Sequence, residues 1–275
     1  MKRDIWTDTL SEVSCPPWPC PHCYKSTLRL VLKSIRSEET VESKAAHNEE
    51  GWDPDWVNEV FSGWLKCADA KCGQTVAVSG YGSPQAFFEE EEGMSWENRY
   101  IPRIALPMPD MFDLPAKCPE QVTQEVRAAF RLFWSDQASA ANRLRAALER
   151  LLDHVGVKTR GKDKHNRLVI LTLHARIQEF AKGESVLGGH LLALKWLGNT
   201  GSHGTGVTAS DLLDAFEVFE HCLAEIVTQR SKKIAALSKQ LEKKHAPKKR
   251  TVKKKATKKT LVPAAAVGGP PTANS

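Results

Sequence analysis

The sequence predicts a mainly α protein with a small β part, and three observations predict it. Between residues 120 and 230, apolar side chains recur every three or four positions in four stripes, the spacing that lines one face of a helix. Between residues 15 and 82, two short runs alternate apolar with other residues beside pairs of cysteines, which suits half-buried strands. From residue 231 onward lysine displaces apolar residues, leaving too little apolar surface to offset the chain entropy lost on folding.

The β part comes first. In "STLRLVLKSI" (26–35), Leu28, Leu30 and Leu32 alternate with Arg29, Val31 and Lys33, and "GQTVAVSG" (73–80) places valines at 76 and 78. Both belong to a module over 15–82. Between them Trp52, Trp56, Val60 and Trp64 fall at helix-like spacing, so a helical insertion is expected near 38–66. Residues 83–119 hold prolines at 84, 102, 107, 109, 115 and 119 and four glutamates at 89–92. Proline fixes φ and removes a backbone donor, so this segment reads as a connecting arm lying on a partner surface.

The helical stripes follow over 120–230. They are Val122, Val126, Phe130 and Phe133; Leu144, Leu148, Leu151 and Val155; Val169, Leu173, Ile177 and Phe180; and Leu212, Phe216, Phe219, Leu223 and Ile226. Breakers at 156–164, 182–184 and 197–206 separate them, which predicts a bundle of four or five helices. Ile234, Leu237 and Leu241 carry the last helix to about Lys244. The remainder of 231–275 is expected to be disordered.

Charge divides along the same lines. Of 39 Lys and Arg, 13 lie in 231–275 with one acid, so this tail carries +12 and the rest of the chain −6. A flexible polycation binds phosphate backbones by releasing counterions, largely without regard to base sequence. Nucleic acid is therefore the expected partner of the tail. A hydrophobic content of 41% is near the globular norm. There is no secretory signal and no run near the roughly 20 apolar residues of a membrane span. A soluble, cytoplasmic protein is expected.

Five of seven cysteines lie between Cys15 and Cys72. In a reducing compartment, clustered cysteines more often bind metal than form disulfides. "PCPHC" supplies Cys20 and Cys23, and "KCADAKCG" supplies Cys67 and Cys72. Thiolates are soft ligands, and two such turns leading into short strands complete a four-sulfur zinc site of ribbon type. Gly73 suits a knuckle that needs positive φ. Cys15 and His22 are the alternative ligands. A redox role for "CPHC" requires a helix N-terminus within a βαβ unit, whereas prolines surround this motif and a strand follows it. A closed four-cysteine site leaves no coordination position for water, so it holds structure and performs no hydrolysis.

The segment "LGNTGSHGTG" (197–206) raises a separate question. It lacks the Lys-Ser/Thr of a phosphate loop and the spacing of a dinucleotide fingerprint. Gly198 suits a helix C′ position, and Thr208 with Asp211 resembles a capping box for the next helix. The bland role for Asn199 and His203 is to close the corner with hydrogen bonds.

The order of cysteine pairs, proline-rich arm, "RLRAALE" and "GNTGSH" is similar to a widespread prokaryotic family known mainly as a domain of unknown function, sometimes attached to restriction-type nucleases. Its helical part resembles the HEPN superfamily, all-α domains of RNA-cleaving toxins and defence proteins. The resemblance covers roughly residues 15–230. It implies a HEPN-like bundle over 120–230 and a homodimer in which two corners face each other. It also implies a catalytic motif of Arg, a polar residue often Asn, and His. Asn199 and His203 match that motif, but Gly198 stands where the Arg belongs, and glycine supplies no charge to a scissile phosphate. Lys195 lies three residues earlier, where a helical turn directs it elsewhere.

Two expectations follow. The first is a non-catalytic zinc-binding module that associates with nucleic acid or docks a protein partner, in prokaryotic defence or nucleic-acid metabolism. The second is a metal-independent HEPN-type ribonuclease using His203 with Asn199.

Overall fold

The computed structural model describes residues 1–89, 93–202 and 206–246 of the chain. Two compact units are present, Met1–Ser231 and a second beginning at Lys232. Among the described residues, helices account for 44% and curled antiparallel sheet for 22%. The architecture is therefore mixed α/β, with more sheet than the small β part expected from sequence.

Five strands build the main sheet: β1 (Leu28–Leu30), β2 (Arg36–Glu39), β3 (Glu59–Cys67), β4 (Thr75–Glu89) and β5 (Gly93–Leu106). The order is β1-β3-β4-β5, and β2 also pairs with β3. One edge of β3 takes β4 over Glu59–Lys66, so β1 and β2 share the other edge end to end, opposite residues 65–67 and 59–62. Short α1 (Val41–Ala46) lies between β2 and β3.

This region departs furthest from expectation. The residues expected in a helical insertion near 38–66 are largely strand: α1 covers only six of them, and Val60 and Trp64 lie on β3. A spacing of four is a multiple of two as well as close to 3.6, so those apolar positions could not distinguish the periods. The deciding residues are Phe61, Gly63, Leu65 and Cys67, which alternate inward along β3. Likewise, much of the expected connecting arm is the outer half of β4 and all of β5. Pro102 is tolerated because β5 is an edge strand and the register shifts beside it, at Ser79/Gly80.

The helices are α2 (Glu120–Leu132), α3 (Gln137–His154), α4 (Leu173–Ala181), α5 (Ser185–Ser202), α6 (Ala209–Thr228) and α7 (Arg230–His245). Val122, Val126 and Phe130 of α2, Leu144, Leu148 and Leu151 of α3, and Leu212, Phe216, Phe219 and Leu223 of α6 are buried. Their stripes were placed correctly by periodicity. Val169 instead lies on β7 (Leu168–Ile170), which pairs with β6 (Arg160–Lys162) inside the segment taken as a breaker. Gln229 adopts φ 51° and ends α6 before α7 begins. No residue of α7 is buried. The tail expected to be disordered falls in residues 247–275, outside those described.

Two aromatic clusters organise the core of the first unit. Trp6 stacks on Trp18 at 6.3 Å between ring centroids, and Trp134, just beyond α2, packs on both. The Trp134 indole N–H donates to the Trp6 carbonyl at 3.0 Å. Phe112, Phe130 and Phe216 form the second cluster, with edge-on contacts of 5.1 and 5.3 Å. Such contacts favour tilted rings because the aromatic edge is positive and the face negative.

Thr208 caps α6 with the expected reciprocal box: its hydroxyl accepts from the Asp211 N–H at 3.1 Å, and the Asp211 carboxylate accepts from the Thr208 N–H at 2.9 Å. These bonds hold the Asp211 carboxyl below its ordinary range, the Thr208 backbone bond contributing most. A depressed carboxyl pKa stabilises the fold above the unfolded pKa and ceases to do so as pH falls through the folded value. Thr208→Ala is expected to cost about 1 kcal/mol at neutral pH. The penalty should shrink in acid once Asp211 is protonated. Urea melts of both proteins at neutral and acidic pH check this, and an unchanged midpoint at neutral pH would contradict it.

Candidate metal centre

The two cysteine pairs meet because the turns that carry them are pinned to the same end of the sheet. Pro19 bridges Thr27, the Cys20 N–H donates to the Ser26 carbonyl, and the Leu28 N–H donates to the Trp18 carbonyl. Leu28 in turn is the register partner of Cys67. The second turn closes through the Cys72 and Gly73 N–H groups, both donating to the Asp69 carbonyl. Gly73 has the expected positive φ, 61°, and Tyr24 ends the first turn at φ 55°.

Sγ of Cys20 lies 3.7 Å from Sγ of Cys72, and Sγ of Cys23 lies 3.8 Å from Sγ of Cys67. All four ligand atoms fall within 4.8 Å of one another, and the set could hold a metal ion. Cys20 and Cys67 are buried, and Cys23 and Cys72 are half-buried. Among the described residues this is the group whose His, Cys, Asp or Glu ligand atoms cluster in this way.

The two alternative ligands lie outside the quartet, at different distances from it. Cys15 sends its thiol toward the Leu28 carbonyl at 3.7 Å, and burial pushes its pKa up to about 11, which keeps it neutral. His22 approaches closely, its Nδ1 3.6 Å from Cys72 Sγ. It is placed to hydrogen-bond a sulfur of the quartet.

The thiols of the quartet differ in acidity. A backbone hydrogen bond from Lys25 draws Cys23 down to about 7. At Cys72 a backbone hydrogen bond from Gln74 acts downward, but desolvation and the sulfurs of Cys20, Cys67 and Cys23 outweigh it, raising the thiol to about 12. Four sulfurs this close cannot all ionise unless a cation neutralises them.

Two family models match the chain. Residues 8–107 are similar to one domain of unknown function (DUF8608), and residues 127–246 to another (DUF4145). The first match contains the cysteine quartet and the whole five-stranded sheet. The second holds the "GNTGSH" corner. No curated protein and no solved structure matches the chain.

The corner differs from the expectation of a helix end at Gly198. Helix α5 continues through Gly198, Asn199 and Thr200 to Ser202. The glycine serves close packing instead: a Cβ there would stand 2.8 Å from Arg145 Cβ and 3.1 Å from Arg145 Cδ. Helix α3 thus lays the Arg145 side chain across Gly198. Among the described residues the buried Arg145 Nε has no hydrogen-bond partner, and the Glu149 carboxylate is 3.7 Å from the guanidinium. Asn199 is half-buried one residue on, and His203 lies outside the described residues.

Sequence reasoning missed Arg145, because a contact across two helices leaves no local spacing. It also missed the network that joins the first cysteine turn to α2. Arg127 donates to both Asp110 oxygens at 2.9–3.3 Å and to the Tyr24 hydroxyl at 2.9 Å. Lys195 is buried, with Nζ 3.4 Å from the centroid of the Trp196 ring. No helix is long and apolar enough to cross a membrane among the described residues.

Proposed function

We propose that the chain is a non-catalytic, zinc-stabilised module that associates with nucleic acid, the Lys-rich tail supplying affinity. The observation that carries the zinc assignment is the sulfur spacing. Sulfurs about 2.3 Å from a tetrahedral zinc stand about 3.8 Å apart, and the measured pairs stand at 3.7 and 3.8 Å. A disulfide needs about 2.05 Å. Bound there, zinc would cross-link the two turns. Four thiolates would fill its coordination shell, so the site supports the fold and leaves water unactivated.

The tail supports the nucleic-acid part. Residues 247–275 hold eight Lys or Arg and no acid. Deleting them should weaken binding to both RNA and DNA oligonucleotides and flatten the fall of affinity with salt. Titration of full-length and truncated protein across a salt series tests this. Equal affinities and equal salt slopes would refute the assignment. The resemblance to HEPN-type domains and to families attached to restriction-type nucleases favours a place in prokaryotic defence or nucleic-acid metabolism, with a homodimer formed through the helical corner.

A second reading is favoured by one observation, the Arg145 side chain lying against Gly198. The cation that Gly198 fails to supply is available from α3, beside Asn199. With His203 as acid or base, the corner would then be an RNA endonuclease of HEPN type. Under the first reading purified protein leaves RNA intact. Cleavage abolished by His203→Ala and by Arg145→Gln, with folding preserved, would establish the second.

A further inference from the structure

One stretch of the first unit reverses the sign of its surroundings. Residues 158–167 hold five cations and one acid, a net +4, in a body whose charge over 1–230 is −6. They include β6 and the turn that leads into β7, and that turn consumes the single acid. The Asp163 carboxylate accepts from the His165 and Arg167 N–H groups at 2.8 and 2.9 Å and pairs with the Arg167 guanidinium at 2.9 Å. Lys158, Arg160, Lys162 and Lys164 are left, all exposed, and among the described residues none of them makes an ion pair. The register places Arg160 opposite Ile170 and Lys162 opposite Leu168, so both strand cations share one face. Gly161 and Val169 take the other face. The hairpin is fixed at its base. The Leu171 N–H donates to the Thr159 carbonyl at 2.9 Å, and buried Arg176 donates to the Val157 carbonyl and the Asp153 carboxylate.

We infer that the β6–β7 hairpin and Trp196 form a binding track for single-stranded nucleic acid, the hairpin cations holding phosphates and the indole stacking a base. The inference rests on the proposed association with nucleic acid and adds a site on the folded body. Trp196 is 54% exposed on α5. Lys195 Nζ stands 3.4 Å from the ring centroid and attracts the negative face of the ring from one side. His174, the second residue of α4, packs on the same indole at 6.2 Å between centroids. His174 follows Ile170 of the hairpin by four residues, a span of at most about 14 Å. The indole therefore stands near the foot of the hairpin. Proteins that hold single strands combine cations along the backbone with an aromatic platform for the bases. A duplex keeps its bases in the stack, so only an unpaired base can reach Trp196. The tail has no aromatic residue and makes no such distinction. An anionic bilayer would attract the same cations. The hairpin tip, however, is Lys164, His165 and Asn166, with Leu168 and Ile170 set back on β7, and charged side chains enter lipid only at high cost.

The test is fluorescence anisotropy of labelled oligouridylate and oligothymidylate of about 15 nucleotides, titrated with full-length protein across a salt series. Circular dichroism confirms the fold of each variant. Replacing Arg160, Lys162 and Lys164 together by glutamine should lower affinity at least about tenfold at low salt and flatten the salt slope by about two. Trp196→Ala should lower affinity roughly tenfold with the slope unchanged, and Trp196→Phe should recover most of the loss. The split between slope and affinity separates charge from stacking, and the glutamine variant reads the hairpin even if Trp196→Ala proves unstable. Wild-type protein that binds neither oligonucleotide overturns both this inference and the nucleic-acid reading beneath it. Wild-type binding that the hairpin and Trp196 variants leave unchanged overturns this inference alone and returns all affinity to the tail. A duplex bound as tightly as the single strands, with Trp196→Ala silent, overturns the single-strand assignment. Phosphatidylserine vesicles released by the glutamine variant, with oligonucleotide affinity unchanged, would give the hairpin to a membrane instead.

Discussion

Replacing Cys67 with serine is expected to lower the thermal midpoint by roughly 10 °C or more and to abolish stoichiometric zinc. Cys67 is buried at the end of β3, directly opposite Leu28. Its loss removes one of four ligands and leaves three thiols that no longer share a neutralising cation. Structural zinc sites contribute on the order of 10 kcal/mol of apparent binding free energy. Each kcal/mol shifts the midpoint of a chain this size by roughly 2–4 °C. The effect should not stay local, because the cysteine turns and the helices through α6 belong to one compact unit. Elemental analysis beside calorimetry measures both quantities. Cys118→Ser, outside the quartet, is the control and should keep its zinc. Wild-type protein purified with no zinc, or a Cys67→Ser protein that melts unchanged, would remove the metal from the account.

The second large effect is expected at Gly80. A Cβ there would fall 2.0 Å from the Ile101 carbonyl oxygen and 2.9 Å from the Arg103 nitrogen. Both are backbone atoms of the neighbouring strand, and neither can swing aside as a side chain would. The residue sits where β4 and β5 shift register, and bulges bend a strand and strengthen its twist. Gly80→Ala should therefore cost about 3 kcal/mol or more, in the range reserved for backbone strain and core overpacking. Gly51, with φ 82° and open space around it, should cost about 1 kcal/mol on the same change, from conformation alone. Equilibrium denaturation of both variants makes the comparison. A loss at Gly80 no larger than at Gly51 would show that the strands part easily.

The sequence carried the helices and the clustering of four cysteines well, and the sheet poorly. Apolar stripes at 122–130, 144–151 and 212–223 each map onto one buried helix face, because a helix needs only local spacing to declare itself. Cys20, Cys23, Cys67 and Cys72 were legible for a chemical reason: paired soft ligands in tight turns have few other uses. The β4–β5 hairpin was hidden by its prolines and glutamates, since only pairing with a distant strand shows that Pro102 sits on an edge. Gly198 was misassigned for a related reason. Its freedom from a side chain serves Arg145, fifty-three residues earlier in the chain, and no window of sequence joins the two.

The tryptophan trio gives the molecule an internal optical gauge. Trp18 precedes Cys20, the first cysteine of the quartet, by two residues and lies face to face with Trp6, 5° from parallel. Trp134 closes the group from the helical side. Indoles this close exchange excitation and imprint one another's near-ultraviolet dichroism. Light absorbed by the trio thus reports whether the cysteine turn is seated on the helices. Adding zinc to the unlabelled protein, or removing it with a chelator, can therefore be read for its effect on that one joint.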